Sequence, residues 1–404
     1  MRETRGLIIG ALLALVTGLA PILVFAAPME ERSARLLAAY NGFGQRLFKE
    51  FANKPGNVVF SPYSVGSALA MALAGARGAT ETEMAQVLGL ELSRDEVNAA
   101  NAALLATLNR ASSKSLQLHV ANALVLTGEQ TVVSKDYMAL LEKNYAAEVF
   151  RGGNLATVNA WVKQKTEGKI DSILKHLDPK TALVLIDAIY FKASWQNAFD
   201  VKATHNETFH LLKGTAKIPL MEAHGDFALA KMPGYQAIRL PYAGARTSMI
   251  VILPAADIAS VLQRLDSAEL RLLLTSLHTS AQPVDFWLPR FKTNFQASLV
   301  KPLTELGMRR AFNPLTADFS GVTGKPLSQV ALAIDQIVHR AVIDVREQGT
   351  EAAAATAESE SPRSAVIEVE EKFRVDRPFL FVIIDDETDA VLFEGLIVDP
   401  RQVR

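Results

Sequence analysis

The sequence predicts an α+β fold in one large domain. Helical patterns crowd the first half of the chain, and near-continuous apolar runs of strand length dominate the second. No internal repeat or break in composition divides the two. The 404 residues are 49% apolar and 21% charged, enough to build a substantial core and too apolar for a disordered chain. A net charge of −1 offers no basic face of the kind that nucleic acid requires.

Residues 1–27 read as a secretory signal peptide. Arg2 and Arg5 make a positive start, residues 7–25 are apolar apart from breaks at Thr17, Gly18 and Pro21, and small residues at Ala26 and Ala27 suit cleavage. The competing reading is an uncleaved membrane anchor, which Pro21 and the small-residue exit disfavour. No other stretch is apolar for long enough to span a bilayer, so no membrane contact is expected once the signal is removed. The chain has no cysteine, and hence neither disulfides nor a thiol nucleophile. The expected location is secreted, either extracellular or periplasmic.

Leu36, Leu37, Tyr40, Leu47 and Phe51 recur near helical spacing and predict a first amphipathic helix. Residues 57–64 read as a short buried strand and turn, after which Ser64 caps an uncharged helix running to about residue 74, with Gly75 and Gly78 as its stops. Residues 81–90 and 93–111 read as surface helices. The runs 118–126, 182–191, 248–253, 284–288, 379–384 and 391–398 are mostly apolar, as strands covered on both faces are.

Residues 347–371, EQGTEAAAATAESESPRSAVIEVEE, are out of character. They carry small and acidic residues, no aromatics, and only Val366, Ile367 and Val369 as large apolar side chains. So long a segment of this kind inside a compact domain is either a functional loop or a flexible linker, though four consecutive alanines also favour helix.

No enzyme is predicted. The chain lacks a Gly-x-Ser-x-Gly elbow, a His-Glu-x-x-His pair and a phosphate-binding loop. Its seven histidines, at 119, 176, 205, 210, 224, 278 and 339, are scattered with no metal-ligand spacing. No metal or cofactor is expected.

Several motifs follow one another in a characteristic order: Asn-Val-Val-Phe-Ser-Pro-Tyr-Ser at 57–64, Leu-Ile-Asp-Ala-Ile-Tyr-Phe-Lys-Ala-Ser-Trp at 185–195, Phe-Ser-Gly at 319–321, Val-His-Arg-Ala at 338–341, the hinge-like segment from Glu347, Asp-Arg-Pro-Phe-Leu-Phe at 376–381 and Phe-Glu-Gly-Leu-Ile-Val-Asp-Pro at 393–400. In this order they resemble the serpin family over about residues 31–400, in its secreted, inhibitory, prokaryotic-like form. The resemblance implies a single serpin domain over residues 28–404, with about nine helices, three β-sheets and an exposed reactive-centre loop at about 347–372. In that family a protease cuts the loop, and the loop then inserts into the central sheet, a standard instance of strain released by proteolysis.

The family's site residues carry over position by position. Glu347, Gly349, Thr350, Ala352, Ala353, Ala354 and Ala355 match the hinge, whose small side chains can slide between two strands. Arg290 matches the basic partner of the hinge glutamate, and Trp195 the tryptophan closing a central strand. Ser61, Ser64, Asp187 and His339 match a polar cluster beneath the sheet; Asp187 stands where the family usually has asparagine. From Glu347 to Arg363 is 17 residues inclusive, the family's hinge-to-bait spacing, which makes Arg363–Ser364 the reactive bond. Arginine there suits a trypsin-like serine protease, whose specificity pocket holds an aspartate. Strand parity would turn Glu358 and Glu360 inward after insertion, where inhibitory members usually carry apolar residues.

The implied function is suicide-substrate inhibition with covalent trapping of an Arg-specific serine endopeptidase by a monomeric protein. The alternatives are a non-inhibitory member (a carrier, storage protein or protease substrate) or an inhibitor of an Arg-specific cysteine protease. No dense Lys/Arg stripe marks the early helices, so glycosaminoglycan activation is not expected.

Overall fold

The computed structural model describes residues 28–127, 132–177, 183–278, 281–350 and 371–403. The signal segment lies outside them. Among the described residues no helix is long and apolar enough to cross a membrane.

The chain opens with α1 (Met29–Ala52), β1 (Val58–Phe60), α2 (Pro62–Gly75), α3 (Gly78–Leu88) and α4 (Arg94–Ala111). It continues through β2 (Leu116–Leu126), α5 (Lys135–Tyr145), β3 (Glu148–Arg151), α6 (Leu155–Lys165) and β4 (Leu183–Ser194). Next come β5 (His205–His210), β6 (Thr215–Met232), β7 (Tyr235–Pro241), β8 (Thr247–Pro254), α7 (Ile258–Arg264) and α8 (Ser267–Ser276). Then follow β9 (Gln282–Pro289), β10 (Phe291–Ser298), α9 (Val300–Glu305), α10 (Ser320–Thr323), β11 (Ile334–Arg346) and β12 (Gly349–Thr350). After the second long undescribed segment, β13 (Glu371–Arg374), β14 (Phe379–Asp385) and β15 (Ala390–Ile397) complete the chain. This is the α+β architecture that the motifs implied. The tenth helix, beyond the expected nine, is the single turn at Ser320–Thr323.

α2 forms the hub. All fourteen of its residues are buried and none is charged. Tyr40 of α1 lies against Gly66, where an added Cβ would sit 2.6 Å from the ring; only glycine permits this approach. The helix begins three residues earlier than the sequence suggested. Ser61, not Ser64, is its cap, accepting from the Ser64 amide at 3.0 Å, and Pro62 takes the first position, where its missing N–H costs nothing. Gly75 is the last helical residue, as expected, but Gly78 opens α3 instead of stopping α2.

The strands form three pairing groups, two of them joined through the long β6. Its first half pairs with β5 and β9, and its last residues, Ala228 to Met232, pair with β7. From β7 the sheet continues through β8, β14 and β15 to β1. The third group is the six-stranded sheet β10-β11-β12-β4-β2-β3. Its central strands, β11 and β4, run parallel and are covered on both faces. Leu183, Leu185, Ile337 and Ile343 face the main core, while Val184, Ile186, Ala188 and Val338 pack beneath Val158 and Val162 of α6.

One buried carboxyl braces α1 against β15. The Gln45 amide donates to Glu394 Oε1 at 2.9 Å, whereas Glu394 Oε2 and Gln45 Oε1 have no partner. Burial pushes the Glu394 carboxyl up to about 8, outweighing the Gln45 hydrogen bond and the Lys49 charge. Protonation removes the charge that burial penalises. The folded state therefore keeps a proton that the unfolded chain releases above the ordinary carboxyl value of 4.5. This contribution is fully present below that value and is lost as pH rises through about 8. We expect Glu394→Gln to flatten the fall in melting temperature between about pH 5 and about pH 8. An unchanged slope in the variant would show that Glu394 is not the group titrating.

Candidate functional site

Two groups of matched residues lie along the central sheet, one where β11 and β4 part and one where they touch. The parting is at the C-terminal ends of both strands. β11 finishes at Arg346, the chain turns through Glu347 and Gln348, and Gly349–Thr350 folds back as a two-residue strand between β11 and β4. Thr350 is opposite Val345 on one side and Ala193 on the other. Gly349 has φ +147°, and a Cβ there would come within 2.1 Å of the Ala193 carbonyl oxygen, so only glycine fits.

The segment after β4 holds this hinge. The backbone N–H of Trp195 donates to Gln348 O at 3.0 Å and that of Phe199 to Glu347 O at 2.9 Å, while the Trp195 indole donates to Arg346 O at 2.8 Å. Trp195 stacks on Tyr242, with ring centroids 4.4 Å apart. The Tyr242 hydroxyl lies 2.7 Å from Thr350 Oγ1, and Thr350 is fully buried. Glu347 is itself 3% exposed. Its carboxylate accepts from Arg290 Nε and Nη2 and from Thr204 Oγ1, the last at 2.6 Å. Burial pushes the Glu347 carboxyl up, but the hydrogen bonds from Arg290 and Thr204 and the Arg290 charge outweigh it and hold the group below its usual range.

The second group lies where β11 and β4 pair directly. Asp187 and His339 are cross-strand neighbours in that parallel ladder. His339 Nδ1 is 2.8 Å from Asp187 Oδ2, and Ser64 Oγ donates to Asp187 Oδ1. Ser61 caps α2 one turn away. All four residues are fully buried. One carboxylate thus ties α2, β4 and β11 together. His339 Nε2 is buried without a hydrogen-bond partner, and the ring meets Phe60 edge to face at 6.3 Å.

The structure therefore brings Glu347, Arg290, Trp195, Gly349 and Thr350 into one contact network, and Ser61, Ser64, Asp187 and His339 into another. The expected reactive bond Arg363–Ser364, the expected hinge alanines Ala352, Ala353, Ala354 and Ala355, and Glu358 and Glu360 lie outside the described residues. Thr204, Phe199 and Tyr242 escaped the sequence reading. Nothing in the chain around them marks a contact with a hinge more than a hundred residues away.

A family model described as serpin (serine protease inhibitor) matches residues 38–400. The chain is 36% identical over 381 residues to an uncharacterized serpin-like protein of Thermococcus kodakarensis, which covers 92% of this chain and 87% of that one. It is 35% identical over 388 residues to a leukocyte elastase inhibitor of Bos taurus, with 91% and 100% covered. Among solved structures, the thermophilic serpin tengpin in its native state aligns with a TM-score of 0.81 at 27% identity, over 90% of this chain and 94% of that one.

Removing the Asp187 side chain strands two buried partners at once. Asp187→Ala should lower the unfolding free energy by about 3–5 kcal/mol. Asp187→Asn, which keeps acceptor and donor atoms in place, should lose less than half as much in denaturant titrations. Equal losses in the two variants would contradict the tie just described.

Proposed function

The chain belongs to the serpin family, whose members are mostly serine-protease inhibitors, and on that premise we propose that it is a secreted, monomeric suicide-substrate inhibitor of trypsin-like, Arg-specific serine endopeptidases, cleaved at Arg363–Ser364. The observation that carries this reading is the strand Gly349–Thr350, which already occupies the gap between β11 and β4 and pairs with both. A loop anchored this way has a seat to enter once cleavage frees its far end.

The next residues suit entry. Ala352, Ala353, Ala354 and Ala355 present little bulk between two strands. Continued past Thr350, the same register would set Thr356 between His339 and Asp187, the polar point in the ladder. The 14 residues 350–363 would span roughly 46 Å as a strand, at about 3.3 Å per residue. A protease acylated at Arg363 would be carried most of the way along the inhibitor and pressed against its far end. Distorting one oxyanion-hole donor costs a protease on the order of 10²–10³ in rate, so deacylation would stall.

The lower part of the loop opposes this. The same register would set Glu358 between Leu185 and Ile337, both fully buried, and Glu360 beside Leu183. Burying an unpaired carboxylate costs several kcal/mol or forces its protonation. Late insertion would then be slow, and some protease would escape by completing hydrolysis.

Mixing the protein with trypsin and heating in SDS tests the proposal. An SDS-stable band near the summed masses is expected, with loss of that band in Arg363→Ala and a higher melting temperature for nicked than for intact protein. Cleavage after Arg363 with neither complex nor gain in melting temperature would favour a protease substrate or carrier. A complex formed only with an Arg-specific cysteine protease would move the target class. Replacing Glu358 and Glu360 with valine should lower the moles of inhibitor consumed per protease. An unchanged or higher stoichiometry would discount the buried-carboxylate account.

A further inference from the structure

A groove of about 780 Å³ runs along the outer edge of the six-stranded sheet, between β10, the end of α1, the start of α9 and the segment after α6. Four cationic side chains line it, Lys54, Lys175, Lys301 and Arg340, and no aspartate or glutamate does. The protein as a whole carries a net charge of −1, so four cations around one space are a local concentration.

The charges are poorly balanced. Lys54 and Lys175 form no ion pair among the described residues; the Lys54 ammonium sits 5.7 Å from the centre of the Phe51 ring. Lys301 approaches only the solvent-exposed Glu305, at 3.8 Å. Asp171, the carboxylate that acts on Arg340 from a distance, is engaged by Lys163 at 2.9 Å. Arg340 is half-buried and held in place by neutral groups, with Nε donating to Asn294 Oδ1 at 2.8 Å and one terminal nitrogen donating to Ser172 O. That leaves a partly desolvated guanidinium, in fixed orientation, with no carboxylate bound to it. Burial lowers its basicity, which a bound anion would reverse.

The rest of the lining mixes neutral polar side chains, among them Asn57, Gln296 and Ser298, with an apolar floor. Phe51 and Phe295 meet edge to face at 5.3 Å, with Val58, Ala297 and Pro302 beside them. A purely ionic patch has no use for such a floor. The volume falls within the range of about 300–1,000 Å³ typical of small-molecule sites, where an apolar wall and a few fixed polar groups share the recognition.

We propose that this groove binds an amphipathic organic anion, its carboxylate or sulfonate head held by Arg340, Lys175 and Lys301 and its aliphatic or aromatic body lying on Phe51 and Phe295. The groove shares no lining residue with the hinge or with the Asp187 cluster, although Ala297 on its floor pairs with His339 in the sheet.

Titration of the full chain with anilinonaphthalene sulfonate, followed by fluorescence, provides the probe. Laurate should displace it, whereas inorganic sulfate at the same charge concentration should not. The triple exchange Lys54→Gln, Lys175→Gln and Lys301→Gln alters exposed side chains and should fold normally. It should weaken laurate binding by about tenfold or more. Arg340→Gln should weaken it further, with a melting curve separating that loss from unfolding. Laurate affinity within twofold of the parent in the triple variant would overturn the assignment. Displacement by sulfate or a heparin fragment as readily as by laurate would also overturn it, leaving a charge patch with no role for the apolar floor.

Discussion

The central sheet rests on two parallel strands whose contact is complete at one end and interrupted at the other. β11 and β4 pair directly from Ile334–Leu183 to Val342–Tyr190, and beyond that point Gly349–Thr350 stands between them. The closed part is covered on both faces by apolar side chains, yet it carries one polar fastening, Asp187 with His339 and Ser64, in a place where water cannot substitute for any of them. The open part is held by a different chemistry, an ion pair at Glu347 and three carbonyls taken up by the strand end around Trp195. The sheet is therefore closed along one line by two different chemistries.

The Asp187 fastening joins α2, β4 and β11 at one point, so a change there reaches three elements at once. A buried hydrogen-bonded carboxylate is costly to disturb singly because every partner is left unsatisfied. At the other fastening the Glu347 carboxylate and Thr350 are buried, but the partner Arg290 is partly exposed. The two fastenings differ in depth, and the shallower one lies where β12 begins.

Much of this was legible in the chain because the motifs carry it. Family resemblance alone singles out Glu347, Arg290, Trp195 and the four polar residues under the sheet. The ends of the apolar strands were read to within a few residues, since runs such as Phe379–Asp385 are covered on both faces. Other features resisted for physical reasons. Ser61 and Ser64 both offer a hydroxyl at the start of α2, and only the distant Asp187 decides which one is left to cap. β11 looks too polar for a central strand, with Asp335, His339, Arg340 and Asp344 along it. His339 through Nδ1, Arg340 and Asp344 find partners from β4, β10 and the segment after α6 that no local pattern reveals. The Tyr242–Thr350 contact spans 108 residues and has no signature at all.

The first strand of the chain waits for the last. β1 pairs with β15, Val58 opposite Leu396, and Asn57 reaches across to accept from the amides of Val398 and Asp399 and to donate to the carbonyls of Asp399 and Gln402. Until the ribosome has made almost the entire polypeptide, the segment around residue 58 has no neighbour to join, and contacts so distant in sequence form slowly. The two ends of the polypeptide therefore share one seam, and a chain cut short before residue 390 would leave its opening strand without a ladder to complete.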